Sequence, residues 1–413
     1  MDVDLSSPDA FVDSVPHPTF DRHRADGPVG WLDPTPRHGM RDGRGVWSVT
    51  GHAEVSEVLR QAQLFSSWEA GIRMEEHGAE SLAIERRMLI MLDPPDHTRL
   101  RLTVNKRFLP RMVSRLRHSI EEITAEVLDR VAADGECNFV DDIAVEIPLL
   151  VIADLLGVEK ADRPRFRRWS DTIISADDPD LATSPADAAM AMGELIDYGR
   201  GVLKRKGEQP GDDILSILAT AKSDDGVLTG ERLLMFWYLL LIAGNETTRN
   251  ALSNAMVAFA EHPDQWERLR GLAVGADQGD PAIDTAIEEL LRYVSPVNYL
   301  RRTATEDAEL GGVRIAAGDP VVAWLTAANR DPAVFTDPHR LDLGRTTNPH
   351  VAFGLGTHFC LGAHLARLEI DVVLRALVER MPDLQAVGPG ERVRTNFING
   401  MKSLPVRYTP AAA

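Results

Sequence analysis

The sequence predicts a mainly α-helical protein with small β elements near its two ends. From Thr98 to about Ile217, apolar residues recur three and four positions apart, which is the spacing of amphipathic helices. One long apolar helix is predicted from Thr229, its N-cap, to about His262; roughly 33 residues of helix span about 50 Å. Strand patterns are confined to Val46–Val49 and to the region after Pro296.

Shorter helices and their boundaries follow from the same reasoning. A short helix is predicted from about His52 to Gln61, and another from about Ala282 to Val294. Within the helical region, breaks are expected at Pro110, Gly135, Gly157 and the polar stretch 176–180. A final helix should begin at about Leu361.

The β elements cluster toward the C-terminal end. The stretch from Leu310 to Gly318 predicts a glycine-turned hairpin, and Val321 to Leu325 predicts a buried strand. A loop from Asn329 to Thr357 follows, and the tail has strand character around Gly400. Because no Gly/Ser linker interrupts the chain, residues 1–413 are expected to form a single domain, with an N-terminal segment (1–62), a mostly helical part (63–295) and a β-containing part with the cysteine loop (296–413).

Composition excludes some classes of function. The formal net charge of −18 disfavours nucleic acid and anionic membrane as partners. With two cysteines, the chain lacks the thiols for a disulfide framework or a four-thiolate iron–sulfur cluster, so a reducing, cytoplasmic location is expected. No signal peptide is visible, and the longest apolar run, Leu233 to Ala243, is too short for the roughly 20 residues of a membrane span.

Residues 353–363 (FGLGTHFCLGA) give the most specific functional signal. Cys360 follows a glycine-rich turn and directly precedes a predicted helix, whose free N–H groups stabilise a thiolate. Glycines in the turn and at position 362 allow a flat ligand to approach the backbone closely, and Phe353 could shield the sulfur. Cys137 has no such surroundings and is interpreted as an ordinary buried thiol.

The centre of the long helix carries polar residues that a purely structural helix would avoid. Glu246 and Thr247 interrupt an apolar run, where a carboxylate is costly unless it has a partner or a role. Gly244 weakens the helix by about 1 kcal/mol relative to Ala, and could leave a groove for a small molecule. A tolerated polar turn at a kink is the alternative.

The cysteine loop resembles the haem-binding signature of the cytochrome P450 family, Phe-x-x-Gly-x-x-x-Cys-x-Gly, at Phe353, Gly356, Cys360 and Gly362. Further family landmarks follow in the right order over about residues 90 to 405. The resemblance implies the family's fold, a triangular helical prism with the long helix over the haem. It also implies haem b with Cys360 as the iron ligand, and Glu246 with Thr247 as the acid–alcohol pair that relays protons to dioxygen.

The resemblance also assigns anchors for the haem propionates and a structural network. His97, Arg101, Arg302 and His358 match the propionate-binding positions, where a buried carboxylate needs cationic partners. Glu289 and Arg292 match the family's Glu-x-x-Arg pair. Arg340 is the expected third member of that network, although Leu341 stands where the family often has Phe.

The activity that the resemblance implies is monooxygenation, with one oxygen atom of O2 inserted into an apolar small molecule. The motifs around residues 245–250 and 396–400 resemble the subgroup that oxidises sterols, terpenoids and branched lipids. Candidate substrate contacts are all apolar: Leu240, Ala243, Val297, Leu300 and Ile398. A non-catalytic haem-thiolate gas sensor or ligand carrier, and a helical scaffold without haem, are the alternatives.

Electrons are expected from a separate ferredoxin and an NAD(P)H-dependent ferredoxin reductase, because no flavin or iron–sulfur domain is evident. Residues 97 to 117 reverse the overall charge of the protein, with no acidic residue in the segment. Its basic members are Arg99, Arg101, Lys106, Arg107, Arg111, Arg115 and Arg117. They predict either a docking patch for an acidic ferredoxin or an ordinary solvated helix face.

Overall fold

A computed structural model of the chain describes residues 3–33, 45–75, 78–174, 178, 184–211, 214–220, 230–275 and 277–411. These residues are mostly helical. The helices are α1 (His17–Asp26), α2 (His52–Arg60), α3 (Ala79–Glu85), α4 (Asp96–Asn105), α5 (Pro110–Val113), α6 (Arg117–Val131), α7 (Glu146–Leu155), α8 (Arg163–Ile174), α9 (Pro185–Glu208), α10 (Ile214–Thr220), α11 (Glu231–Glu261), α12 (Pro263–Ala273), α13 (Pro281–Val294), α14 (Leu325–Ala328) and α15 (Ala363–Arg380).

The strands are short and form four small sheets within these ranges. They are β1 (Val29–Leu32), β2 (Val46–Val49), β3 (Phe65–Ser66), β4 (Glu136–Asn138), β5 (Tyr299–Ala304), β6 (Ala308–Leu310), β7 (Val313–Ile315), β8 (Pro320–Trp324), β9 (Gln385–Ala386), β10 (Glu391–Arg392), β11 (Met401–Ser403) and β12 (Pro405–Arg407). The largest sheet has the order β1-β2-β8-β5-β3; the others are β4-β12-β9, β10-β11 and the hairpin β6-β7.

The predicted fold class is therefore confirmed, and most predicted boundaries lie within two residues of the observed ones. The hairpin turns at Gly311 and Gly312, both with positive φ, which β-branched or bulky residues would adopt only at a cost. Pro110 begins α5, and Gly135 and Gly157 lie just beyond the ends of α6 and α7. The last helix begins at Ala363, two residues later than predicted, because the chain first completes the cysteine loop.

The long helix α11 crosses the largest hydrophobic core. It begins at Glu231 and ends at Glu261, and α12 begins two residues later at Pro263. The predicted N-cap, Thr229, lies outside the described residues. Most of its residues are buried against α7, α9, α13 and α15. This burial explains the apolar run from Leu233 to Ala243, since a helix that crosses the interior has little surface facing solvent.

The largest sheet joins distant parts of the chain. Strand β2 pairs in parallel with β8, Trp47 opposite Val321, and β5 pairs antiparallel with both β8 and β3. The N-terminal region is thereby fixed beside the strand that carries Arg302. None of the helices among the described residues is long and apolar enough to cross a lipid bilayer.

A buried ion-pair network fixes the loop that precedes the cysteine, and it corrects one prediction. Arg292 donates from Nε to Oε2 of Glu289 at 2.7 Å and from Nη2 to Oε1 at 2.9 Å, and both side chains are fully buried. The third member is Arg345, whose Nε donates to Oε2 of Glu289 at 3.0 Å. Arg340, predicted for this place, is exposed and contributes its backbone carbonyl, which accepts from Arg292 at 3.2 Å.

Candidate active site around Cys360

The cysteine loop is a tight turn held by its own backbone. The N–H of Cys360 donates to the carbonyl of Phe353 at 2.9 Å, and the N–H of Gly354 donates to that of Val351 at 2.8 Å. Gly356 has φ +66, and a Cβ at this position would come within 2.9 Å of Arg60 Cα. A side chain at 356 would therefore push the loop off the end of α2.

The thiol of Cys360 experiences opposing influences. Burial raises the pKa of Cys360, while the backbone N–H of Gly362 and the positive charges of Arg101 and Arg367 lower it. In the protein alone burial prevails, so the helix N-terminus does not by itself produce a thiolate. A coordinated metal cation would supply the missing stabilisation, since metal binding deprotonates a thiol outright.

The four predicted anchor residues lie together beside the cysteine. The rings of His97 and His358 are 4.2 Å apart between centroids. Burial and the charges of Arg101 and Arg302 lower the pKa of His97 to about 4, and burial with the charges of Arg302, His97 and Arg101 lowers the pKa of His358 to about 2. Residues from α4, β5 and the cysteine loop thus form one strongly positive cluster with two neutral imidazoles.

This cluster has hydrogen-bonding capacity that the protein leaves unused. His97 Nδ1 and His358 Nε2 are buried and have no hydrogen-bond partner. Buried polar atoms without partners are uncommon in folded proteins and mark a site where a ligand belongs. At Gly362 a Cβ would meet nothing within 4 Å, so open space adjoins the loop backbone there.

On α11, the residues at the centre of the helix face different environments. Thr247 is half-buried, and its hydroxyl donates to the carbonyl of Ala243 at 2.8 Å. Ala243 is exposed although it lies midway along a helix through the core. An exposed residue there implies an open space beside the helix, and Thr247 presents its oxygen lone pairs on the same face, four residues on.

Gly244 lies where α11 approaches α7. A Cβ at Gly244 would come within 3.0 Å of Ile152 Cδ1, so the missing side chain allows α7 to pack closely against α11. The predicted groove for a small molecule beside Gly244 stays a prediction. Glu246 is half-buried, beside Thr247 in sequence.

The predicted substrate positions lie on α11, in β5 and in an isolated bridge outside the named strands. Leu240 and Ala243 are three residues apart on α11, and Val297 pairs with Ile398 in an isolated β-bridge. The Leu300 side chain lies about 4.0 Å from the Cβ position of Gly354 in the cysteine loop. Ile398 is buried, whereas the other four are half-buried or exposed, as expected of residues facing a cavity rather than a packed core.

Three supporting groups were missed by the sequence analysis. Asp93 accepts from the N–H of Ser67 at 2.9 Å and binds the Ser66 hydroxyl, which ties β3 to the start of α4 and so places His97 near Arg302. Asn254 donates to the carbonyl of Asn399 at 2.7 Å and thereby fixes the turn that carries Ile398. Both are ordinary polar residues in the sequence, and only the chain path shows what they contact.

The third group is a cluster of charged residues beside Phe353. Glu288 accepts two hydrogen bonds from Arg367 and one from His350, and Arg367 lies over the Phe353 ring. In the sequence, the recognisable Glu-x-x-Arg pair includes the adjacent Glu289 and gives no signal for Glu288.

The basic segment from Arg99 to Arg117 divides into paired and exposed members. Arg99 pairs with Asp96 at 3.3 Å and Arg117 with Asp371 at 2.7 Å, while Arg101 lies at the site. Lys106, Arg111 and Arg115 are exposed, with no acidic partner among the described residues. Leu102 (65% exposed), Leu109 (45%) and Phe359 (37%) add exposed apolar groups in α4, before α5 and in the cysteine loop.

Comparison with known proteins identifies the family. The family profile described as "Cytochrome P450" matches residues 191–382. The chain is 38% identical to the steroid C26-monooxygenase of Rhodococcus jostii, over 99% of this chain and 85% of the relative. The chain is a cytochrome P450. This cytochrome P450 is also 36% identical to the methyl-branched lipid omega-hydroxylase of Mycobacterium tuberculosis (99% of this chain, 95% of the relative).

Solved structures agree with this placement. A cytochrome P450 from Mycobacterium marinum, in complex with pseudoionone, aligns with a TM-score of 0.90 at 35% identity over 98% of each chain. One from Bacillus megaterium in complex with testosterone aligns at 0.81 and 35%, covering 95% of this chain and 99% of that one. The protein is therefore a haem b monooxygenase, and the buried ring nitrogens of His97 and His358 that have no protein partner fit the propionates of a haem.

Proposed function

We propose that this cytochrome P450 hydroxylates an apolar small molecule of the terpenoid, steroid or branched-lipid type, with Cys360 as the iron ligand. The observation that carries the proposal is the juxtaposition of Cys360 with two arginines and two imidazoles, of which His97 Nδ1 and His358 Nε2 are buried without a hydrogen-bond partner. A thiolate at this position and two propionates at the cluster would together account for every one of these groups.

The residues of the chain have distinct parts in binding the cofactor. Arg101 and Arg302 neutralise the propionates, and His97 and His358 donate or accept through the ring nitrogens that have no protein partner. Gly362 has open space where a side chain would stand, which leaves room for a flat ligand in the cysteine loop. When bound, haem supplies dioxygen activation at an iron whose electron density is increased by the thiolate.

Glu246 and Thr247 supply protons in this proposal. Thr247 already donates its own hydrogen to the carbonyl of Ala243, so its lone pairs can accept a hydrogen bond from a protic group in the cavity and hold it in place. Glu246, next to it, is the carboxylate that exchanges the proton with solvent. A non-catalytic haem carrier would need neither group.

The substrate class follows from relatives with printed activities and from the character of the cavity residues. The linalool 8-monooxygenase of Pseudomonas putida is a third relative, 34% identical over 98% of this chain and 99% of its own. The substrates named for the three relatives are a steroid, a branched lipid and a terpenoid. The apolar side chains of Leu240, Ala243, Val297 and Leu300 suit such molecules.

Electrons would come from a separate acidic ferredoxin and its reductase, in the cytoplasm. The exposed Lys106, Arg111 and Arg115, with Leu102 and Leu109 near them in sequence, provide charge and apolar area for docking. The charge at this surface opposes the net charge of −18 of the whole chain.

The decisive experiment is the carbonyl spectrum of the reduced holoprotein. A thiolate ligand should place the Soret band at the long wavelength from which the family takes its name, and Cys360→His should retain some haem and lose monooxygenation. A wild-type band like that of a globin would refute Cys360 as the ligand. Substrate-dependent NAD(P)H consumption with surrogate redox partners, and a screen for molecules that shift the Soret band, then identify the substrate class.

A further inference from the structure

Glu288, on α13, is the centre of a charged cluster behind the cysteine loop. Its carboxylate accepts from Nε and Nη2 of Arg367 at 2.5 and 2.8 Å, which is the bidentate geometry of a strong arginine–carboxylate pair. It also lies 3.0 Å from His350 Nε2. Glu288 and Arg367 are each about a third exposed, so the cluster is only partly shielded from water.

The hydrogen bonds and charges of this cluster are matched. His350 Nδ1 accepts the backbone N–H of Ala352 at 3.2 Å, so Nε2 carries the hydrogen and donates to Glu288. Glu288 and Arg367 contribute one negative and one positive charge, which balance each other.

Arg367 connects this cluster to the predicted iron ligand. Its guanidinium lies over Phe353, with Cζ 4.5 Å from the ring centroid, and the carbonyl of Phe353 accepts the N–H of Cys360. The charge of Arg367 is close enough to favour the thiolate form of Cys360. A bidentate partner is what keeps a long, flexible arginine in this one position.

We propose that Glu288 is a positioning residue that holds Arg367 against Phe353 and, by balancing its charge, sets the reduction potential of the Cys360-ligated haem. The inference rests on the proposed function, because it requires the thiolate at Cys360. The adjacent Glu289 has a separate role, since its partners Arg292 and Arg345 belong to the buried network that fixes the preceding loop.

Opposite shifts are expected when the two charges are removed singly. Reduction adds an electron to the cofactor, so an uncompensated positive charge nearby raises the potential and an uncompensated negative charge lowers it. Glu288→Gln leaves Arg367 uncompensated and should raise the potential. Arg367→Gln leaves Glu288 uncompensated and should lower it. The double variant removes both charges and should return close to the wild-type value.

Two further variants separate charge from packing. Arg367→Lys retains the charge but loses the flat, bidentate geometry, so its potential should lie above that of Arg367→Gln. This comparison requires no change at Glu288 and remains available if Glu288→Gln loses haem. His350→Gln retains a side chain that can donate to the same carboxylate and should leave the potential near wild type.

The measurement is a spectroelectrochemical titration of each holoprotein, preceded by its reduced carbonyl spectrum. Shifts of opposite sign that cancel in the double variant support the proposal. The opposite result is a carbonyl band of the thiolate type while Arg367→Lys and Arg367→Gln have equal potentials, or while Glu288→Gln and Arg367→Gln shift the potential in the same direction. Either outcome overturns the inference and leaves the ligand assignment standing. A globin-like wild-type band overturns the ligand assignment and the inference with it.

Discussion

At the scale of single residues, Thr247 shows how one hydroxyl can be prepared for chemistry. Because its hydrogen is directed to the carbonyl of Ala243, its oxygen faces the cavity as an acceptor. Thr248, the next residue, is buried. Two adjacent threonines on one helix therefore have different surroundings, and they form a matched pair for mutagenesis.

Thr247→Ala should continue to consume NAD(P)H while releasing peroxide in place of product. A positioned proton-transfer group contributes roughly 10²–10⁴ in rate, so we expect product per NAD(P)H to fall about tenfold or more. Glu246→Gln should slow the proton-dependent step. The controls are Thr247→Ser, which retains the hydroxyl, and Thr248→Ala. Unchanged coupling in both Thr247→Ala and Glu246→Gln would leave this pair with only a structural role.

Arg345 and Arg340 provide a second residue-scale test, this time of stability. Arg345→Ala removes a cationic partner from the fully buried Glu289 and should lower the free energy of unfolding by about 3 kcal/mol. Arg340→Ala leaves its carbonyl in place and should change it by less than about 0.5 kcal/mol. Denaturant titrations of the two variants show which arginine is the third member of the network. Equal losses of unfolding free energy would return Arg340 to it.

At the scale of elements, α4, α5 and the turns around them combine two tasks. The inner face of α4 carries His97 and Arg101 toward the site, and Leu102 and Lys106 are exposed to solvent. A helix period of 3.6 residues permits this division, because positions three or four apart share a face and intervening positions do not. The same element can thus bind the cofactor and present a docking surface.

Arg111→Glu or Arg115→Glu should lower the rate of electron transfer from an acidic ferredoxin by about tenfold at low salt. The effect should diminish as salt rises, since the Debye length is about 8 Å at physiological ionic strength. Haem content and substrate binding should remain normal. Lys160→Glu, an exposed basic residue beyond α7, is the control. Salt-independent rates equal to wild type in both arginine variants would exclude this surface as the docking site.

At the scale of the whole molecule, the site is assembled from parts far apart in the sequence. Strand β5 carries Arg302, α4 carries His97, and the loop before α15 carries Cys360. Two sets of contacts keep these parts in fixed relative positions: the network of Glu289, Arg292 and Arg345, and the contacts of Asp93. That residues 1–413 unfold as one cooperative domain remains a prediction, to be checked by coincident tryptophan and Soret transitions.

Acid stability should depend on Glu288. Burial would raise the pKa of Glu288, but its hydrogen bonds with Arg367 and His350 and their charges outweigh burial and lower the pKa to about 2. Since the folded pKa lies below the ordinary value of 4.5, the group stabilises the fold above about pH 4.5, and this contribution is lost as the pH falls toward 2. Its full size is at most about 3 kcal/mol.

Glu288→Gln removes this titration. Its free energy of unfolding should be lower than that of wild type at pH 6, and the difference should narrow as the pH falls toward 3. Urea titrations at several pH values measure it. A difference that stays constant with pH would show that the carboxylate charge contributes nothing to stability.

The sequence by itself determined the fold class, the long helix and the cysteine loop, and its resemblance to the cytochrome P450 family implied the four anchor positions. The first three depend on local spacing, namely helical periodicity and the glycines around one cysteine. Only the tertiary structure decided which side chain fills a given space. It assigned Arg345 instead of Arg340 to Glu289, packed Ile152 into the gap at Gly244, and joined Glu288 to Arg367. The physical reason is that a buried charge or void is satisfied by whichever group the chain path brings within about 3 to 4 Å, and spacing along the sequence carries no information about that path.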